Sequence, residues 1–101
     1  EEAIRDFDEA IRLDPKYAVA YNNRGFAKNE LGRYEEAIRD FDEAIRLGPK
    51  YAFAYNSRGF AKEKLGRHKE AIRDYETALR LDPNFAEARN NLADLKKYLQ
   101  R

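Results

Sequence analysis

The chain has 101 residues with 20 basic and 19 acidic side chains, and it contains neither cysteine nor methionine. That length holds one small domain; the near-balanced charge leaves no basic field for nucleic acid or anionic lipid, and no cysteine means no disulfide framework or thiolate chemistry. No apolar run reaches the roughly 18 residues of a membrane span, and the compartment stays open, leaning to the cytoplasm.

The first segment, 1–13, carries Ala3, Ile4, Phe7, Ala10 and Ile11 along one stripe of a 3.6-residue period and reads as an amphipathic helix. Asp14 and Pro15 punctuate it, with Asp14 placed to cap the helix that follows. That second helix spans about 17–31 and stops at Gly32, a residue suited to the left-handed turn after a helix. A third, 35–47, repeats the stripe as Ala37, Ile38, Phe41, Ala44 and Ile45. On its outer face Glu35–Arg39 and Asp42–Arg46 stand as i,i+4 pairs. Gly48 replaces the capping aspartate before Pro49, which predicts a slightly weaker seam. Helices over about 51–65, 69–81 and 85–100 complete the series, with Asp82 as the last capping candidate.

The series is a repeat. Residues 1–34 and 35–68 align without a gap and differ at six positions: Asp14/Gly48, Val19/Phe53, Asn23/Ser57, Asn29/Glu63, Glu30/Lys64 and Tyr34/His68. A 34-residue period of two helices predicts an elongated stack in which each unit touches only its neighbours. Such close copies, with no methionine to start them, fit a segment of a longer protein or a designed repeat.

These residues resemble the tetratricopeptide repeat (TPR) family, whose pattern runs Trp-x2-Leu-Gly-x2-Tyr, then Ala-x3-Phe, then Pro. The first copy shows Tyr21, Arg24, Gly25, Lys28, Ala37, Phe41 and Pro49; the second shows Tyr55, Arg58, Gly59, Lys62, Ala71, Tyr75 and Pro83. Gly25 and Ala37 are small enough for two helices to approach closely. Arg24 and Arg58 stand where the family has leucine, and Lys28 and Lys62 where it has tyrosine. Asp6, Asp40 and Asp74 recur on the second helices. An Arg–Asp pair is therefore expected along the array, Arg24 with Asp6 or Asp40 and Arg58 with Asp40 or Asp74.

The resemblance implies an all-α fold, a right-handed α-solenoid of antiparallel helix hairpins. In family register, 1–17 is the second helix of an incomplete repeat, 18–51 and 52–85 are full repeats, and 86–101 is a C-terminal capping helix. The capping helix packs inward through Ala88, Leu92, Leu95 and Leu99, and carries Ala93 where the units have Gly25 and Gly59. The helix over 1–13 keeps the interior stripe with half of its covering partner missing. Its Ile4, Phe7 and Ile11 are expected to drive self-association into a homo-oligomer.

The resemblance also places a concave face on the first helix of each unit. Its residues are Val19, Asn22, Phe26, Asn29 and Glu30, then Phe53, Asn56, Phe60, Glu63 and Lys64, then Glu87, Asn90 and Asp94. Such a face implies a non-catalytic interaction scaffold binding an extended peptide of another protein. Asn22 and Asn56 offer a donor and an acceptor to a peptide backbone. Phe26, Phe53 and Phe60 either form apolar pockets or pack between helices. Chaperone-binding members clamp a C-terminal carboxylate with Lys, Arg and Asn. Here Asn22 and Phe26 stand where that clamp has Lys and Asn, Ser57 replaces Asn, and Glu87 and Asn91 replace Lys and Arg, so an acidic C-terminus is not the expected ligand.

No enzyme is expected. His68 is the single histidine, which rules out a histidine pair for a metal, and it is read as a partly buried ring beside a turn. The glycines lie at helix ends and contacts and not in a phosphate loop. No cofactor is implied. Pentatricopeptide repeats read RNA with similar hairpins, but their period is one residue longer and their groove is basic.

Overall fold

A computed structural model describes residues 2–101; Glu1, the expected first residue of the first helix, lies outside them. The described residues form six helices, α1 Glu2–Leu13, α2 Ala18–Glu30, α3 Tyr34–Leu47, α4 Ala52–Lys64, α5 His68–Leu81 and α6 Ala86–Leu99, and no strand. They stack into a body of 45 × 26 × 18 Å. Helix α2 packs most extensively on α3, and α4 on α5. The stack continues through α1 on α2, α3 on α4 and α5 on α6, while α4 also touches α2 and α6.

Helices α2 and α4 end just before a glycine. Gly32 and Gly66 have φ of 76° and 80°, and each closes a double-bonded turn. Gly32 N–H donates to the Asn29 carbonyl and Arg33 N–H to that of Lys28; Gly66 and Arg67 repeat the pattern onto Glu63 and Lys62. The junctions at Asp14 and Asp82 differ from expectation. These aspartates do not cap a helix: Tyr17 and Phe85 hold the N-cap positions, with no side-chain cap. Each aspartate instead holds the turn around its proline, Asp14 Oδ1 accepting from Lys16 N–H and Asp82 Oδ1 from Asn84 N–H, both at 3.2 Å. Proline makes the turn three residues long, which carries the aspartate too far from the helix start. Gly48 adopts nearly the same backbone as Asp82, φ −136° against −141°.

The hairpin contacts are as tight as the glycines imply. A Cβ on Gly25 would stand 2.8 Å from the Phe41 ring, and one on Gly59 2.9 Å from Tyr75. Ala37, Phe41, Ala44, Ala71, Tyr75 and Ala78 are all sealed from water. Beyond them, Leu92 and Leu95 of α6 close the end of the stack on Ala71 and Tyr75. Leu99, expected to pack inward, is 43% exposed on the last turn of α6.

The outer-face pairing also departs from the i,i+4 reading. Arginines reach i−3 or i+3 carboxylates, Arg46 to Glu43 and Arg33 to Glu36. Glu35 and Asp42 are free to bind across units, to Arg67 and Arg58. The arginines beside Glu36, Glu43 and Glu9 hold those carboxyls below their usual range.

The expected Arg–Asp pair lies within each hairpin, enlarged by an acid from the preceding unit. Arg24 grips Asp40 with two bonds, Nε to Oδ2 at 2.9 Å and Nη2 to Oδ1 at 2.7 Å, and sends Nη1 to Asp8 at 2.7 Å. Lys28 Nζ completes the node 3.1 Å from Asp40. Arg58, Asp74, Asp42 and Lys62 repeat it. Each arginine stacks near a tyrosine ring, Arg24 over Tyr21 and Arg58 over Tyr55. The second acid is Asp8 or Asp42, two residues beyond the aspartate the sequence singled out.

Candidate functional site

Helices α2, α4 and α6 lie side by side, so their common face forms a groove. A hollow of about 420 Å³ sits in it, lined by Phe26, Asn29, Glu30 and Tyr34, by Asn56, Ser57, Phe60 and Lys64, and by Glu87 and Asn91. The aromatic wall is built by packing. Tyr34 meets Phe60 edge-on at 6.5 Å, and Lys64 Nζ lies 5.2 Å from the Phe60 ring centre. Phe26 is left 52% exposed, so a ligand can cover it.

The polar floor is specific. Asn56 Nδ2 donates to Glu87 Oε1 at 3.0 Å, and Asn91 Nδ2 donates to Asn56 Oδ1 at 3.2 Å. This chain ties α4 to α6 and commits the amide that the sequence reading offered to a peptide. Asn29 Nδ2 donates to the Ser57 carbonyl at 3.2 Å. That carbonyl can only accept, which fixes the amide's orientation; Asn29 Oδ1 is buried with no partner.

Of the expected concave residues, Phe26, Asn29, Glu30, Asn56, Phe60, Lys64 and Glu87 come together in this hollow, and Val19, Asn22, Phe53, Glu63, Asn90 and Asp94 lie outside its lining. Asn22 is buried on α2 beside Tyr51; burial raises the Tyr51 hydroxyl's pKa and the bond from Asn22 opposes the rise. Phe53 meets Phe85 edge-on at 5.0 Å and is still 57% exposed. Glu63 turns inward and accepts the Tyr75 hydroxyl at 2.7 Å. Burial first, and this neighbouring carboxylate second, push the Tyr75 pKa far above its ordinary value. Asn90 and Asp94 are exposed on α6.

Tyr34, Ser57 and Asn91 are lining residues that the concave-face pattern missed, and Tyr34 is the one that lies off the first helices. It starts α3 and reaches the groove from the turn. The only hint was its exchange for His68 between the copies. His68 itself is partly buried beside its turn, 5.9 Å from the Tyr98 ring. Among the described residues no group of acidic or histidine side chains is arranged to hold a metal, and no helix is long and apolar enough to cross a membrane.

At the other end, Ile4, Phe7 and Ile11 of α1 are half-buried against α2. Ile4 borders a smaller hollow of about 170 Å³ with Glu2, Ala3, Ala27, Glu30 and Leu31.

Fold and groove together define a helical-hairpin solenoid with a concave side. A family profile, tetratricopeptide repeat, matches residues 16–84, and the chain belongs to that family. Solved structures agree. The first TPR of Spaghetti (RPAP3), bound to the HSP90 peptide SRMEEVD, is 34% identical with a TM-score of 0.92, covering 97% of this chain and 78% of that one. The first TPR domain of human RPAP3 is 35% identical, TM-score 0.94, over 98% and 78%. The Arabidopsis OM64 TPR domain is 36% identical, TM-score 0.91, over 94% and 78%. The comparison with curated protein sequences finds no match.

Proposed function

We propose that this chain is a non-catalytic scaffold that holds an extended peptide segment in the groove between α2, α4 and α6. The observation that carries the reading is the hollow itself, with an exposed Phe26 and a Tyr34–Phe60 wall above a hydrogen-bonded floor. Aromatic anchors of this kind supply most of the affinity of small interfaces. A similar structure, that of Spaghetti, holds a peptide, which favours the same use here. The partition into 1–17, 18–51, 52–85 and 86–101 belongs to this reading, since it puts one first helix on the groove from each full repeat and the last from the cap. Selection from a displayed random-heptapeptide library tests it. Enrichment of sequences that lose binding to a Phe26→Ser variant is the expected result. A pool indifferent to that substitution overturns the groove.

A second reading is self-association through α1, and one observation favours it. Residues 1–13 are identical to 35–47. In α3 that sequence seals Phe41 to 0% exposure and Asp40 to 4%, while in α1 Phe7 is half-covered and Asp6 is exposed. The uncovered stripe carries apolar surface that a second copy would bury. Sedimentation equilibrium tests it: a concentration-dependent dimer abolished by Phe7→Glu supports the reading, and a monomer at every concentration overturns it.

A further inference from the structure

We propose that the groove selects a peptide by a basic side chain, an arginine or lysine flanked by apolar residues. This rests on the peptide-binding reading and names the chemistry of its ligand.

Three observations converge. The charges lining the hollow are Glu30, Glu87 and Lys64, two carboxylates to one ammonium. Lys64 lies over the Phe60 ring, leaving the side of the groove around Phe26 and Glu30 to a ligand's cation.

The second observation is Asn29. It is only 7% exposed, lines the hollow, and has an acceptor oxygen with no donor. The copies explain why. At the equivalent position Glu63 receives the Tyr75 hydroxyl, but the residue equivalent to Tyr75 is Phe41, which has no hydroxyl to give. The protein supplies no donor there, and an N–H from a ligand would.

The third is Glu30 itself. It is the last residue of α2, where the helix dipole presents negative charge and an acid is disfavoured. The equivalent Lys64 suits that place in α4; Glu30 does not. Helix terminus and carboxylate together attract a cation to the mouth of the groove. A guanidinium or ammonium there meets Glu30 and Asn29 Oδ1, and its apolar stem lies on Phe26. Glu87 spends Oε1 on Asn56 and adds to the field.

The peptide library separates this from the parent reading. Heptapeptides selected on the protein are to be scored for composition, and the best one resynthesised with its basic residue changed to glutamine. The expected pool is rich in arginine and lysine. Glu30→Lys, which places in α2 the residue α4 already carries there, weakens the peptide about tenfold with unchanged helicity, and the glutamine peptide loses as much. Groove-dependent peptides that are neutral or acidic, or that bind Glu30→Lys equally well, overturn the inference and leave the groove standing. Peptides unaffected by Phe26→Ser overturn both.

Discussion

A carboxylate nearly sealed from water needs more than one cation beside it. Asp40 and Asp74 are each 4% exposed, and each receives two guanidinium bonds and a lysine. That need explains why arginine and lysine together replace the family's leucine and tyrosine. Half of it was legible: the repeated Arg24, Arg58, Asp40 and Asp74 announced the pair. The lysines and Asp8 or Asp42 were not, because i,i+2 acids such as Asp40 and Asp42 serve different arginines, Arg24 and Arg58, and only the stacking of units brings the second acid to a guanidinium. Removing Arg58 alone leaves the buried Asp74 with Lys62 as its one cation. We expect Arg58→Leu to destabilise by about 3 kcal/mol and Arg58→Leu/Asp74→Leu by clearly less than the sum of the single losses. A urea double-mutant cycle measures this, and strict additivity would contradict the node. Tyr75 carries a second prediction. Its pKa is raised in the fold from 10.0 by burial and by Glu63, so the stability it lends is present below that pH and lost as pH climbs past it. The urea midpoint should fall between about pH 9 and 11, and fall less in Tyr75→Phe.

At the scale of elements, identical sequence does not give identical burial. All twelve residues of α1 recur in α3, yet α3 buries five of its side chains and α1, among the described residues, none. The difference is the neighbour and not the helix, which is why helix positions were readable and the fate of each face was not. The junctions teach the same point. Aspartate before proline reads as a cap, but the turn that proline imposes moves it out of reach, and its side chain holds the turn instead. Gly48 has the backbone an aspartate would take there, and an added Cβ meets only ordinary contacts at 3.6 Å or more. Gly48→Asp should therefore stabilise the chain by about 0.5–1 kcal/mol, through a stiffer unfolded state and a restored bond to Lys50 N–H. Thermal unfolding checks it, and a lowered midpoint would show that the seam tolerates only glycine.

For the whole molecule, the repeat dictates a stack, the stack aligns α2, α4 and α6, and their shared face becomes the groove. The 34-residue period made that architecture readable before any coordinates. The groove's contents were readable only in part. Phe26, Asn29, Glu30, Asn56, Phe60 and Lys64 follow from the register of the family the sequence resembles. The bonds from Asn91 to Asn56 and from Asn56 to Glu87 depend on the distance between units, which register does not give. The inward turn of Glu63 depends on a tyrosine in the next helix. The places where the copies disagree add to that guide: Asn29, Glu30, Tyr34, Ser57 and Lys64 all line the hollow. The claim that this groove is where a partner lies is tested most directly by amide chemical-shift mapping with a library-selected peptide. The account predicts the largest shifts at Asn29, Glu30, Ser57, Phe60 and Asn91, with α1 and the outer faces of α3 and α5 unmoved. Shifts centred on Ile4, Phe7 and Ile11, with the groove silent, would contradict it.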